Sequence, residues 1–147
     1  MSDPTGELLV SARATSTDAN VELLRSTFAA FNADDLDTCL ANLAEDFVIN
    51  LAGVPQMRGR DTWHHGVEVM KAAFPDVTVQ IEDVVAAADR VAVRLTLRGT
   101  HTGEFEGIPA TGRTVEYSSH EFYRFADGLI AEEWICSDMA TLHGQIT

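Results

Sequence analysis

The chain has 147 residues, 46% hydrophobic and 22% charged, which suits one globular domain with a real core and excludes a disordered chain. Its formal net charge is −13, from 23 acidic against 10 basic residues. A surface this acidic repels phosphate backbones and anionic membranes, so neither nucleic acid nor a membrane is an expected partner.

The first eighteen residues read as a flexible tail, and residues 19–147 as a single domain. The opening segment has neither the basic start nor the apolar run of a secretory signal, and no stretch approaches the ~20 apolar residues that span a bilayer, so a cytoplasmic protein is expected. Cys39 and Cys136 lie far apart without metal-ligand spacing and read as reduced thiols. Thr17, Asp18 and Asn20 offer caps for a first helix whose buried stripe is Val21, Leu24, Phe28 and Phe31. Asn32 to Asp35 interrupts it and starts a second helix carrying Leu36, Cys39, Leu40 and Leu43. A short strand, Phe47 to Leu51, leads into a loop opened by Gly53 and Pro55 and closed near Gly59. A third helix runs from about Asp61 to Phe74, where Pro75 disfavours helical geometry in the preceding residue. Trp63, Val67, Met70 and Phe74 share one of its faces. Four long strands follow, at 77–86, 90–102, 114–125 and 129–137, with hairpin turns at Asp89-Arg90 and Ala126-Asp127-Gly128. Helices packed on one side of a curved antiparallel sheet make an α+β domain.

Period-two alternation sorts the strands into faces. Val91, Val93, Leu95 and Leu97 face the helices, and the count continues to His101. In the next strand we read Tyr117, Ser119, Glu121 and Tyr123 as the inner set. In the last strand, Ala131, Glu133, Ile135 and Ser137 oppose Ile130, Glu132, Trp134 and Cys136. A carboxylate among tyrosines on an otherwise apolar wall suggests a small-molecule pocket. Glu121 is its candidate general acid or base. His101 is either an assisting group paired with Glu121 or a histidine at the rim. Asn50, Tyr117 and Tyr123 are candidates to position carbonyls, Trp63 to form pocket wall, and Glu133 to face inward. His64-His65 is not read as a metal site, because adjacent helical residues do not share a face. Gly103, Gly107 and Gly112 lack the following helix of a phosphate loop, and no nucleophile–base–acid order stands out.

The opening STFAAFNADDLDTCLANLAEDFVIN resembles nuclear transport factor 2-like domains. The block HTGEFEGIPATGRTVEYSSHEFYRFADGLIAEEW is similar to the SnoaL-like polyketide cyclases, and most to the branch holding anthracycline hydroxylases. The resemblance implies a cone-shaped α+β barrel with three to four N-terminal-side helices around one pocket. It implies a homodimer formed through the outer sheet face, where Phe122, Ile130 and Trp134 would lie, and chemistry without metal or cofactor. Counted from Arg124 and Asp127-Gly128, Glu121 takes the place of the aldol cyclases' histidine and of the ketosteroid isomerases' oxyanion acid. Ile135 stands where the aldol cyclases have their catalytic aspartate. Leu51 and Thr27 stand near the isomerases' base and tyrosine. The expected function is cofactor-independent ring closure or isomerisation of a polyketide-like carbonyl or aromatic compound, with Ile135 lining the pocket. The alternatives are a SnoaL-like hydroxylase and a non-catalytic binder of a small hydrophobic ligand.

Overall fold

In the computed structural model, which describes residues 4–147, the chain folds into four helices and six strands. Helix α1 spans Pro4–Asn32 and α2 Leu36–Ala41; strands β1 and β2 are Leu43–Leu51 and Met57–Arg58; α3 is Arg60–Ala73. Then come β3 (Thr78–Ala87), β4 (Arg90–Thr100), β5 (Thr114–Ala126), β6 (Leu129–Ser137) and α4 (Met139–Ile146). The strands form one sheet in the order β2-β1-β6-β5-β4-β3, antiparallel throughout except for the parallel pair β1 and β6. The sheet is curved but not closed, since β2 and β3 remain its two edges. Helices line its concave face, and the core lies between the two layers.

The long strands follow their side-chain alternation. β5 buries Val115, Tyr117, Ser119, Glu121 and Tyr123 and exposes the residues between them up to Phe122. Its inner face is therefore the one expected. The β5–β6 turn has positive φ at both Asp127 and Gly128, the backbone that lets a two-residue loop follow the strands' twist. The β3–β4 turn falls on Ala88 and Asp89, one residue earlier than expected.

Several boundaries moved. The first helix begins at Pro4 rather than near Asn20; nothing after Gly6 breaks helical geometry, and proline suits a first helical turn. Of the expected tail, residues 1–3 lie outside the described residues. Leu43 leaves the second helix and opens β1, where the backbone of Ile130 donates to the Asn42 carbonyl. It stays buried, so its hydrophobicity served a different element. Helix α4 was not expected from the sequence. Asp138 caps it by accepting from the Thr141 N–H at 3.1 Å, and Leu142 and Ile146, one turn apart, bury against the sheet. The fourth helix thus lies at the C-terminal end.

Two side chains fasten the helical layer. The Asn32 amide donates to the Val79 carbonyl at 2.9 Å and accepts from the Val79 N–H at 2.8 Å, so it imitates a neighbouring strand on edge strand β3. Arg60 donates twice to the Leu43 carbonyl, at 2.9 and 2.6 Å, and ties α3 to β1.

On the outer face, register aligns Val85, Ala92, Phe122, Trp134 and Asn50 in a row across five strands. Phe122 is 55% exposed and Val85 65%. Ile130, expected here, is buried inside, because β6 carries an extra residue opposite β5. Phe125 pairs with Ile130 and Arg124 with Glu132, leaving Ala131 as a bulge.

Gly103 marks the closest approach of chain segments. Its N–H and that of Thr102 both donate to the Ala73 carbonyl, and a Cβ at this position would meet the Ala72 carbonyl oxygen at 2.1 Å. A contact that short with backbone cannot be relieved by a rotamer change. Gly103→Ala is expected to destabilise the fold by about 1–3 kcal/mol, read as a lowered Tm. Gly66→Ala, in open space on α3, is expected to leave Tm unchanged or raised.

Candidate active site

The site is a cavity of about 120 Å³ between the helices and the middle of the sheet. Its helical wall is apolar: Leu24, Phe28 and Phe31 from α1, and Trp63, Val67 and Met70 from α3. The sheet contributes Leu95 and Leu97 from β4, then the polar pair Glu121 and Glu133, with Tyr123 and Ile135 beside them.

Glu121 is 6% exposed and accepts two hydrogen bonds. Ser119 Oγ donates to one carboxylate oxygen at 2.6 Å, and the Tyr123 hydroxyl donates to the other. Ser119 has only one hydrogen to give, so at 2.9 Å the donor between it and Ser137 is Ser137. A hydroxyl chain therefore runs from β6 through Ser119 to Glu121. Burial raises the Glu121 pKa above the usual glutamate range, and the Ser119 and Tyr123 hydrogen bonds pull it partly back. Tyr123 is pushed well above an ordinary phenol by burial and by the neighbouring carboxylates.

Glu133 is 4% exposed and sits opposite Tyr123 in the strand register, while Glu121 sits opposite Ile135. The two acids are therefore diagonal neighbours on adjacent strands, with Cβ atoms roughly 7–8 Å apart or less. Among the described residues the Glu133 carboxylate takes no hydrogen bond. Burial, then the charge of Glu121, holds its pKa well above the glutamate range. Of the two acids, Glu121 has the hydroxyl donors that favour its charged form, whereas nothing comparable offsets the upward shift of Glu133.

The structure brings Glu121, Glu133, Tyr123, Trp63 and Ile135 together and places the other candidates elsewhere. His101 is fully buried, but not beside Glu121 and not at an exposed rim. Glu121 pairs with Val93, and His101 lies eight positions further along the chain, roughly 26 Å away at strand rise. Its Nδ1 instead accepts from the Thr111 backbone N–H at 3.3 Å and contacts the Thr111 hydroxyl at 2.9 Å, and its ring leans on Phe74. Asn50 falls on the outer face, opposite Trp134, because Phe47 and Ile49 are the residues that β1 sends into the core cluster there. Its amide nitrogen donates to the Glu132 carboxylate at 3.0 Å and to the Glu133 carbonyl at 2.9 Å. Tyr117 is buried one inner position beyond Ser119 and outside the cavity lining; burial, reinforced by Glu121, pushes its phenol up to about 12.

Of the helical lining only Trp63 was expected at the site; the residues missed there include two that carry polar atoms, Cys39 and Thr27. Cys39 is fully buried, its thiol donates to the Thr27 carbonyl at 3.4 Å, and desolvation pushes its pKa up to about 11, so it is unreactive wall. Thr27 Oγ1 donates to the Leu23 carbonyl at 2.7 Å and accepts from Asn42 at 2.9 Å. The available signal was their place beside the buried helical stripes, Thr27 next to Phe28 on α1 and Cys39 within the stripe of α2. No group of three His, Cys, Asp or Glu side chains among the described residues has metal-site geometry; His64 instead contacts Glu68 one turn along at 3.1 Å on the surface. Nor is any helix among the described residues long and apolar enough to cross a membrane.

Known proteins share this fold. Residues 21–146 match the family model of SnoaL-like polyketide cyclases. Aklanonic acid methyl ester cyclase DauD of Streptomyces sp. (strain C5) is 26% identical over 116 residues, covering 76% of this chain and 71% of that protein. AclR, a proposed hydroxylase from Streptomyces galilaeus, superposes with a TM-score of 0.81 at 30% identity, over 88% of this chain and 96% of that one. IdmH, a proposed polyketide cyclase from Streptomyces antibioticus, superposes with a TM-score of 0.76 at 36% identity, over 86% and 96%. The family match covers both the helical wall and the strands that carry the two acids, and this chain belongs to the SnoaL-like polyketide cyclase family.

Proposed function

We propose that this protein is an enzyme that closes a ring in, or isomerises, a polyketide-like carbonyl compound by proton transfer at Glu121. The observation that carries the reading is a buried carboxylate at the wall of an apolar cavity, held in place by Ser119 and Tyr123. An ionised carboxylate in such surroundings is a stronger base than in water, and its raised pKa brings it towards neutral pH, where proton transfer is most effective. Abstraction of a proton from the carbon next to a carbonyl gives an enolate. That carbon then either attacks a second carbonyl or is reprotonated elsewhere. Among the described residues the cavity lining carries no Lys, Arg or His, so a neutral ketone or ester is favoured over an anionic substrate. DauD and IdmH, named as a cyclase and a proposed cyclase, support this class of reaction.

The direct test is Glu121→Gln, which keeps the size of the side chain and removes the base. On a substrate identified from a panel of enolisable aromatic polyketides, kcat is expected to fall about 10²–10⁴-fold, with Tm held or raised. Full turnover by this variant would remove Glu121 from the chemistry. Tight binding across the panel with no turnover by the wild type would favour a binding protein instead. Because the ionised form is the base and its pKa is raised, kcat in the wild type is expected to drop as pH falls through the Glu121 pKa.

The outer row from Val85 to Trp134 is proposed as the face on which a second copy of this chain sits. Exposed Phe122 lies at its centre, and Arg90 stacks on Trp134 at 5.0 Å. Sedimentation is expected to show a dimer that Phe122→Glu converts to a folded monomer; a wild-type monomer at high concentration would refute it.

A further inference from the structure

Glu133 is a cavity acid whose side chain makes no hydrogen bond to a described residue. Its carboxyl is buried and lines the same space as Glu121. A carboxyl that opens onto an apolar space without a protein partner gains from a ligand atom that can pair with it. The titratable groups facing it are Glu121 and Tyr123 from β5 and Cys39 from α2; α1 adds Thr27, and the lining from α3, β1, β3 and β4 is apolar. None of these offers a positive charge, and Tyr123 already gives its hydrogen to Glu121.

We propose that Glu133 is a second catalytic residue, a neutral carboxylic acid that donates a hydrogen bond to the substrate's carbonyl oxygen while Glu121 takes the proton from the adjacent carbon. This rests on the reading of Glu121 as base. In the step, the C–H bond breaks and its proton goes to the Glu121 carboxylate. The electron pair forms the carbon–carbon double bond of the enolate, and the charge arriving on oxygen is met by the Glu133 O–H. Nothing is oxidised or reduced. Two acids whose surroundings divide the roles of base and hydrogen-bond donor make one working pair. The ligand class follows: an enolisable ketone, or a 1,3-dicarbonyl, whose oxygen sits over β6 and whose acidic carbon sits over β5.

Infrared difference spectroscopy reads this without a known substrate. At pH 7 the wild type is expected to show the C=O stretch of a protonated carboxyl that vanishes in Glu133→Gln and persists in Glu121→Gln. A missing band, or one lost in Glu121→Gln and kept in Glu133→Gln, overturns the proposal. The second arm uses cyclohex-2-enone with a carbon-13 carbonyl as a one-ring probe. Its bound C=O stretch should move to lower wavenumber in the wild type and in Glu121→Gln, and not in Glu133→Leu. An equal position in all three overturns the proposal. Thermal unfolding adds a third readout. The raised pKa means that the folded state holds its proton where the unfolded chain has lost it, so this stabilisation is full below the ordinary glutamate value of 4.5 and is lost as pH rises through the folded pKa. Glu133→Gln should flatten the fall of Tm towards alkaline pH, and an unchanged profile counts against a proton held there. Turnover retained by Glu121→Gln defeats the base assignment alone, since none of these spectra depends on it.

Discussion

The bulge at Ala131 is the constraint on which the site depends. Side chains alternate along a regular strand, so a β6 that buries Ile130 would also turn Glu132 and Trp134 inward and present Glu133 to solvent. The extra residue opposite β5 breaks that parity, and both Ile130 and Glu133 are buried. The same shift sends Glu132 outward, where Arg124 donates to it at 3.1 Å and Asn50 at 3.0 Å. One inserted residue thus gives the core its isoleucine, the cavity its second acid and the outer face its polar cluster. β1 accommodates it with an irregularity of its own between Leu43 and Val48.

Placing two carboxyls in one dry space limits the charge it can hold. Each buried ion costs several kcal/mol of desolvation unless partnered. Ser119 and Tyr123 can offset that cost for one acid only, and among the described residues the surrounding lining has no cation to offset it for the other. Burial therefore holds the Glu133 pKa up, and the charge of Glu121 adds to it. The arrangement is self-consistent: removing the hydroxyls from Glu121 would erase the difference between the two acids, and with it the division between base and donor.

Much of this was legible in the sequence, and the failures have physical causes. The inner face of β5 followed from parity, because that strand runs for thirteen residues without interruption. Parity failed at Ile130, since a bulge leaves no fixed mark in composition. At Asn50 alternation with Phe47 and Ile49 gives the outer face, but the start and length of β1 were hidden: Leu43 has the spacing of a helical stripe yet begins a strand. The inner face of His101 was read correctly, but its pairing with Glu121 was not. Face assignment says nothing about distance along a strand, and register shows the two residues at opposite ends. Helix α4 carries only two fully buried residues, too few for periodicity to announce it, although Asp138 and Thr141 formed a readable cap. The resemblance in the final block placed Glu121; the pairing with Glu133 emerged only once β5 and β6 were aligned.

Cavity size constrains what the acids can act on. Pockets that enclose drug-sized ligands run from about 300 Å³ upward, and an engineered apolar cavity of about 150 Å³ takes benzene. At about 120 Å³ the space between Trp63, Phe28 and the two glutamates accommodates one ring or the end of a chain. A fused polycyclic substrate would enter by one terminal ring, unless the unbranched Met70 and the partly exposed Trp63 swing aside. Either way the reacting carbon and its carbonyl belong to the inserted end, because Glu121 and Glu133 lie on the sheet wall across from those two side chains. Specificity would then divide between two regions. The sheet would select for a carbonyl with an acidic neighbour, and the α1 and α3 walls would select for the shape of the ring that carries it. Substitutions at Met70 or Phe28 would alter which rings fit while leaving the sheet wall with its two acids intact, the separation expected when shape selection and reacting groups lie on different elements.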